Sequence, residues 1–232
     1  MYNIPMFSVI LARPENPENI GLVARAMANT GFADLRLTGV NSLGARALKT
    51  AVHAEEVLRA ARRFDDLDDA VSDLQLVFAA TVKARKNFPI LTLDDALSRM
   101  AAFPASTKIG LLFGNERTGL TSDELRHSNF RFSIPQARRQ PSYNLAAAVL
   151  LTLFPLFKLS AKTAEARGER PLPRAEQDAC IGRILEILKA RGFMTEASRG
   201  HVSEMIYDLF GRLAMTDKDR RLLLAVFRKG ML

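Results

Sequence analysis

Lys108-Ile-Gly-Leu-Leu-Phe-Gly-Asn-Glu-Arg-Thr-Gly-Leu120 joins an apolar run to a short polar loop framed by Gly114 and Gly119. The run predicts a strand, Lys108–Phe113, buried on both faces as in the interior of a parallel sheet. The two glycines let the loop backbone approach a ligand closely. Taken alone, Glu116 beside Arg117 is equally an exposed surface pair worth little.

Two other segments repeat the theme of a strand feeding a polar turn and then a helix. After the strand Phe7–Leu11 come Asn16-Pro-Glu-Asn-Ile-Gly21 and a helix over about Asn19–Asn29, with Ile20, Val23, Ala24 and Met27 at helical spacing and Gly31 as its stop. After the strand Phe130–Ile134 come Pro135-Gln-Ala-Arg-Arg-Gln-Pro-Ser-Tyr-Asn144 and an apolar helix over Ser142–Leu159. The pattern also predicts strands at Leu35–Leu37 and Gln75–Ala80. Helices are predicted at Arg46–Ala61 (broken near His53), Leu93–Met100 (capped by Thr92) and Thr121–Arg126. Strands alternating with helices predict an α/β domain, a parallel sheet with helices on both faces. In such sheets ligands bind beyond the carboxyl ends of the strands, so the three turns are expected to gather at one edge.

The chain has 232 residues, is 48% hydrophobic and carries a net charge of +8 with a pI near 10.0. That length suits one α/β domain with a smaller appendage, and the basic balance suits a polyanion such as nucleic acid. The stretch Ala161–Pro173 is charged and holds Gly168, Pro171 and Pro173. It reads as a linker between a domain at 1–160 and a helical extension at 174–232, whose helices fall near Arg174–Arg191, Ser198–Leu213 and Asp217–Arg228. A single cysteine, Cys180, excludes an intrachain disulfide. With no signal-peptide pattern, no apolar run of the roughly 18–20 residues a membrane span needs, and no metal-ligand spacing among His53, His127 and His201, a cytoplasmic protein without membrane or metal is expected. Dinucleotide, P-loop and zincin motifs are missing as well, which disfavours dehydrogenases, nucleotide hydrolases and metalloenzymes.

Capping accounts for Asn16, Pro17 and Ser142 without any function. It does not account for Asn19, Glu116 or Asn144, nor for Arg25, which is either a solvated arginine or a holder of a phosphate or developing oxyanion. Arg138 and Arg139 in the third loop are placed for phosphate. The basic clusters Arg62-Arg63, Lys83-Ala-Arg-Lys86 and Arg220-Arg221 are further candidates for RNA contact.

Asn19 with Arg25, Phe113-Gly-Asn-Glu116, and Ser142-Tyr-Asn144 before an alanine-rich helix together resemble the three motifs of the SPOUT-class, TrmH-type RNA 2′-O-methyltransferases, over roughly residues 7–160. The tail with Ile184–Phe193 resembles the extension of the TrmJ branch, while Tyr143 stands where that branch usually carries an aliphatic residue. The resemblance implies a C-terminal trefoil knot, an exception to the rule of unknotted connections. It implies S-adenosylmethionine held by backbone near Leu112, Phe113, Gly114, Ile134 and Leu145, and an obligate homodimer with motif one of one subunit near the cofactor of the other. It also implies methylation of a ribose 2′-hydroxyl at tRNA position 32, in the anticodon loop. The catalytic set it implies is Arg25, Asn19, Glu116, Ser142 and Asn144. Action on ribosomal RNA, a catalytically silent RNA-binding knot protein, and a basic scaffold unrelated to RNA remain the alternatives.

Overall fold

In the computed structural model, residues 6–82, 89–137, 142–160, 170–195 and 198–229 are described. In chain order they form β1 (Met6–Ala12), α1 (Pro17–Thr30), β2 (Asp34–Thr38), α2 (Ala45–Ala51), α3 (Glu55–Ala60), β3 (Arg62–Phe64), α4 (Leu67–Val71) and β4 (Leu76–Ala80). Then follow β5 (Ile90–Thr92), α5 (Leu93–Ala101), β6 (Lys108–Phe113), α6 (Ser122–Arg126), β7 (Phe130–Ser133), α7 (Leu145–Ser160), α8 (Arg174–Ala190), α9 (Arg199–Gly211) and α10 (Asp217–Lys229). The strands make one seven-stranded sheet in the order β3-β2-β1-β6-β4-β7-β5, and every pairing is parallel.

Strand alternation builds a core on each face. Val9 and Leu11 of β1, with Ile109, Leu111 and Phe113 of β6, face the larger core, which α1, α5 and α7 cover. Ile10, Ala12 and Leu112 face the smaller one, covered by α4 and α6. The central strands β1, β4 and β6 are therefore apolar along most of their length, because both of their faces are buried. On α7, Val149, Leu153 and Leu156 are essentially sealed from solvent, each contributing about 1.5–3 kcal/mol of transfer free energy.

The expected elements are present. The break expected near His53 divides the stretch from Arg46 to Ala61 into two helices, because Val52 (φ 31°) and His53 (φ 63°) take positive φ and interrupt the ladder between α2 and α3. Two differences stand. First, α7 starts at Leu145 and not at Ser142. The Asn144 side chain caps it, its Oδ1 accepting from the backbone N–H of Ala146 (2.9 Å) and Ala147 (3.4 Å). Second, β3, α4 and β5 go beyond the expected elements; at three to five residues each they are too short to display a period.

Glycine matters at one crossing. A Cβ on Gly21 would lie 2.2 Å from the Ala47 carbonyl oxygen, so only glycine lets α2 pack this closely on α1. There the Thr50 hydroxyl donates to the Glu18 carbonyl (3.0 Å).

Helices α8–α10 share a small core of Leu172, Cys180, Ile181, Ile184, Phe210 and Met215. Buried amides connect them to the amino-terminal edge of the sheet. Gln75 Nε2 donates to the Pro171 carbonyl (2.9 Å), Gln177 Nε2 to the Gln75 carbonyl (2.6 Å), and Asn129 Nδ2 to the Gly211 carbonyl (2.8 Å). Of the expected linker, residues 161–169 lie outside the described residues, whereas Leu172 is buried and its N–H bonds the Met215 carbonyl (2.7 Å).

Candidate active site

The turns after β1, β6 and β7 do meet at the carboxyl edge, and side chains tie them together. In the first turn Asn16 caps α1 by accepting from the Glu18 N–H (2.9 Å), with Pro17 at the first helical position. Asn19, one turn inside and only 6% exposed, is not a cap. Its Nδ2 donates to Glu116 Oε1 (2.9 Å), and its Oδ1 accepts from Asn144 Nδ2 (2.8 Å). One asparagine thus bridges all three loops. Asn144 serves both this bridge and the cap of α7, its two amide atoms divided between the tasks.

Glu116 is the hub of the arrangement. Its carboxylate also accepts the backbone N–H groups of Glu15 (2.8 Å) and Asn16 (3.2 Å). Partial burial pushes its pKa up, but donation from Asn19 and from the backbone of Glu15, Glu116 and Asn16 outweighs that and leaves it below the ordinary value. An ionised carboxylate with a depressed pKa and its oxygens committed to amides is an anchor and a poor general base.

The second loop is held from within by Asn115, whose Oδ1 accepts from the N–H of Arg117 and Thr118 (both 3.0 Å), and whose Nδ2 donates to the Arg13 carbonyl (2.8 Å). Gly119 closes the loop at φ 65°, and Gly114 is needed because a Cβ there would lie 2.4 Å from the Gly119 carbonyl carbon. Arg13, itself at φ 52°, forks onto Glu124 through Nε (2.6 Å) and Nη2 (2.8 Å). Partial burial raises the Glu124 pKa, and the Arg13 pair more than reverses it. Asn115 and Arg13 were not singled out from sequence. Asn followed by a polar turn is the signature of a side chain capping its own loop, and it was readable; the Arg13–Glu124 pairing spans 111 residues and was not.

Beside this network lies a cleft of about 280 Å³. Phe113, Gly114, Ile134 and Leu145 line it with Ala148, and Glu116, Ser142 and Tyr143 give it polar atoms. The Tyr143 hydroxyl donates to the Pro135 carbonyl (2.8 Å), closing one rim across the third loop. The volume is close to the lower end, about 300 Å³, of small-molecule sites, and apolar walls with a few polar groups are what such sites have.

Not every expected residue enters the cleft. The Leu112 side chain points to the opposite core, so only its backbone is near. Asn19, Asn144 and Arg25 do not line the cleft. Arg25 is exposed on α1, about 9 Å along the helix axis from Asn19, and no bond joins it to the network among the described residues. Arg138 and Arg139 lie outside the described residues. Among the described residues no group of three or more His, Cys, Asp or Glu is arranged to hold a metal ion, and no helix is long and apolar enough to cross a membrane.

Three loops bridged at the carboxyl edge of a parallel sheet, with a cleft between two of them, define a family. The model of the SpoU rRNA Methylase family matches residues 6–154, and the chain belongs to that family. It is 34% identical over 158 residues to the tRNA (cytidine-2′-O-)-methyltransferase TrmJ of Methanocaldococcus jannaschii, covering 66% of this chain and 68% of the relative. To the tRNA (cytidine/uridine-2′-O-)-methyltransferase TrmJ of Escherichia coli it is 30% identical over 215 residues, 88% of this chain and 86% of the relative. The crystal structure of TrmJ from Z. mobilis ZM4 superposes with a TM-score of 0.81 at 30% identity, covering 97% of this chain and 98% of that one.

Proposed function

We propose that this chain is an S-adenosylmethionine-dependent RNA 2′-O-methyltransferase that modifies a pyrimidine ribose of the tRNA anticodon loop, at position 32. The observation that carries the reading is the Glu116–Asn19–Asn144 bridge, which joins all three family motifs beside a cleft of cofactor size. The names of the TrmJ relatives, which specify tRNA and cytidine or uridine, support the substrate.

Bound in the cleft, S-adenosylmethionine supplies an activated methyl group. Phe113, Ile134, Leu145 and Ala148 give the apolar walls for its nucleoside, and the backbone of the loops at Gly114 and Ile134 gives hydrogen-bonding groups. Ser142 and Glu116, at the polar side, orient the ribose. Asn19 and Asn144 act through position, fixing the loops and the start of α7. Arg25 holds a phosphate through its planar fork of donors and stabilises negative charge on the attacking oxygen.

Because Arg25 does not line its own cleft, it serves the cleft of a second subunit. In support, α1 and α7 pack side by side and leave apolar side chains exposed: Leu22 (39%), Leu150 (41%), Leu151 (39%), Phe154 (52%) and Phe157 (38%). An exposed apolar face of this kind is the mark of an interface. Two further parts of the reading are a C-terminal trefoil knot in the α/β domain, and a division at 1–160 and 174–232. The separate small core of α8–α10 supports that division.

The test is mass spectrometry of tRNA nucleosides from cells with and without the gene, followed by methylation of purified tRNA. Loss of a 2′-O-methylated pyrimidine at position 32 is expected. A change at position 34 instead moves the target within the loop, and an unchanged tRNA profile overturns the tRNA reading.

A further inference from the structure

The carboxyl edge that carries the cleft also carries a second hollow, of about 500 Å³, at the ends of β2 and β3. Gly39, Val40 and Asn41 form one side, and Arg63, Phe64 and Asp65 the other. Its register with the cleft follows from the sheet. Phe64 lies opposite Thr38, Thr38 opposite Ala12, and the neighbouring Leu11 opposite Phe113 in the cleft wall. Three strand spacings, roughly 14 Å in all, separate the two sites. Between them runs the turn starting at Arg13, and the loop of Arg117 lines the cleft itself; the two arginine side chains are 41% and 76% exposed.

The lining has the chemistry of base recognition. Phe64 is half-buried, one side packed into the smaller core, and the Arg62 guanidinium lies 5.8 Å over its ring. Asn41 and Asp65 are exposed and offer an amide and a carboxylate. Arg63 donates to the Asn41 carbonyl (2.6 Å), which fixes the turn after β2 while leaving its cationic group exposed at the rim. Single-stranded RNA is read by groups of these kinds, with planar side chains against the base, polar groups on its edge and arginine on its phosphate.

We propose that this hollow is a nucleotide subsite. It takes a base of the same RNA strand, near but not adjacent to the nucleotide being methylated, with Arg63 on the phosphate and Asn41 and Asp65 on the base edge. A carboxylate accepts from an exocyclic amino group, so Asp65 favours cytosine or adenine over uracil there. This inference rests on the RNA methyltransferase reading above.

The experiment measures KM, kcat and the salt dependence of binding with anticodon stem–loop RNAs that vary the nucleotides flanking the target. The proteins compared are the wild type, Asn41→Ala, Arg63→Ser, Arg63→Lys and Asp65→Asn, all altered at exposed positions. Arg63→Ser is expected to raise KM about tenfold, leave kcat and cofactor affinity unchanged, and lower the slope of log K against log salt by about 0.7. Arg63→Lys recovers most of the affinity, and Asp65→Asn relaxes the preference against uracil at one flanking position. If the wild type methylates the stem–loops and the variants match it in KM and base preference, the subsite is wrong and the enzyme reading stands. Variants that lose kcat or thermal stability in place of affinity also overturn it, since the residues are then structural. A wild type that methylates no stem–loop removes both.

Discussion

Asn19→Asp puts the bridge to its most direct test. The substitution keeps the size of the side chain but places a carboxylate oxygen where Nδ2 donates, 2.9 Å from Glu116 Oε1. Two unit charges at that spacing repel by about 6 kcal/mol at an effective dielectric near 20, and solvent at the rim of Glu116 trims this figure. Uptake of one shared proton sets a ceiling, because protonating a carboxyl of ordinary pKa at pH 7 costs about 4 kcal/mol. The variant is therefore destabilised by up to about 4 kcal/mol at pH 7, and by about 1.4 kcal/mol less for each unit the pH is lowered. The sign follows from proton counting: the folded variant binds one proton more than the unfolded chain, so its stability rises on acidification. In the wild type the folded pKa of Glu116 is lowered, so its support is present above the ordinary carboxylate pKa and is lost as pH falls through the folded value. The chain has no tryptophan, so urea unfolding followed by far-ultraviolet circular dichroism between pH 5 and 8 is the suitable assay. A variant with the wild-type midpoint at pH 7 and no gain on acidification refutes the Asn19–Glu116 contact.

Other outcomes follow from the same geometry. Arg25→Ala is expected to keep cofactor affinity by titration calorimetry and to lose turnover by a factor of about 10²–10³, the scale of one lost charge-stabilising donor; near-normal turnover removes Arg25 from the mechanism. Phe154→Asp, at a 52% exposed position of α7, should give a folded monomer in analytical ultracentrifugation that binds cofactor without methylating RNA; an intact dimer would locate the interface elsewhere. Asp73 is pushed up by burial but held down to about 2 by Arg36 and Lys108, so its support is present above the ordinary carboxylate pKa and lost as pH falls toward 2. Asp73→Asn is expected to cost about 1–2 kcal/mol at neutral pH, a modest figure because Asp73 is 39% exposed, and to flatten the acid end of the denaturation curve; an unchanged acid transition would exclude Asp73 as its cause.

Periodicity exposed those parts of the fold in which one residue type repeats. The apolar run Lys108–Phe113 reads as a doubly buried strand because each of its faces meets a core, and the structure gives it those bounds. The edge strands β3 and β5, three residues each, leave no such trace. In the site, Asn19 and Glu116 were legible as residues that capping could not explain, whereas Asn144, set apart from capping in the same way, is the cap of α7; the bonds joining the three were not legible. Those bonds span 97 and 125 positions, and nothing local to Asn19 encodes a partner at Asn144. Ser142 shows the opposite error of local reading. A serine before an apolar helix is a good cap by type, yet Asn144, two residues on, takes the role because its amide can also reach Asn19. Arg25 stayed ambiguous for a simpler reason: an exposed arginine on a helix looks the same whether it faces water or a second subunit.

Asn144 caps the helix that follows it and grips a residue 125 positions earlier. The active edge is therefore a late product of folding. Strands β1, β2 and β6 can pair and bury their side chains while the segment from Asn144 onward is still being made, but the first and second loops gain their third partner only when α7 arrives. Contacts so distant along the chain form slowly. Recovery of helical signal on refolding should therefore run ahead of recovery of methyl transfer, and a chain cut within the third loop keeps much of its sheet and none of its chemistry. An immature chain thus cannot present a finished catalytic edge to RNA before its last core helix is in place.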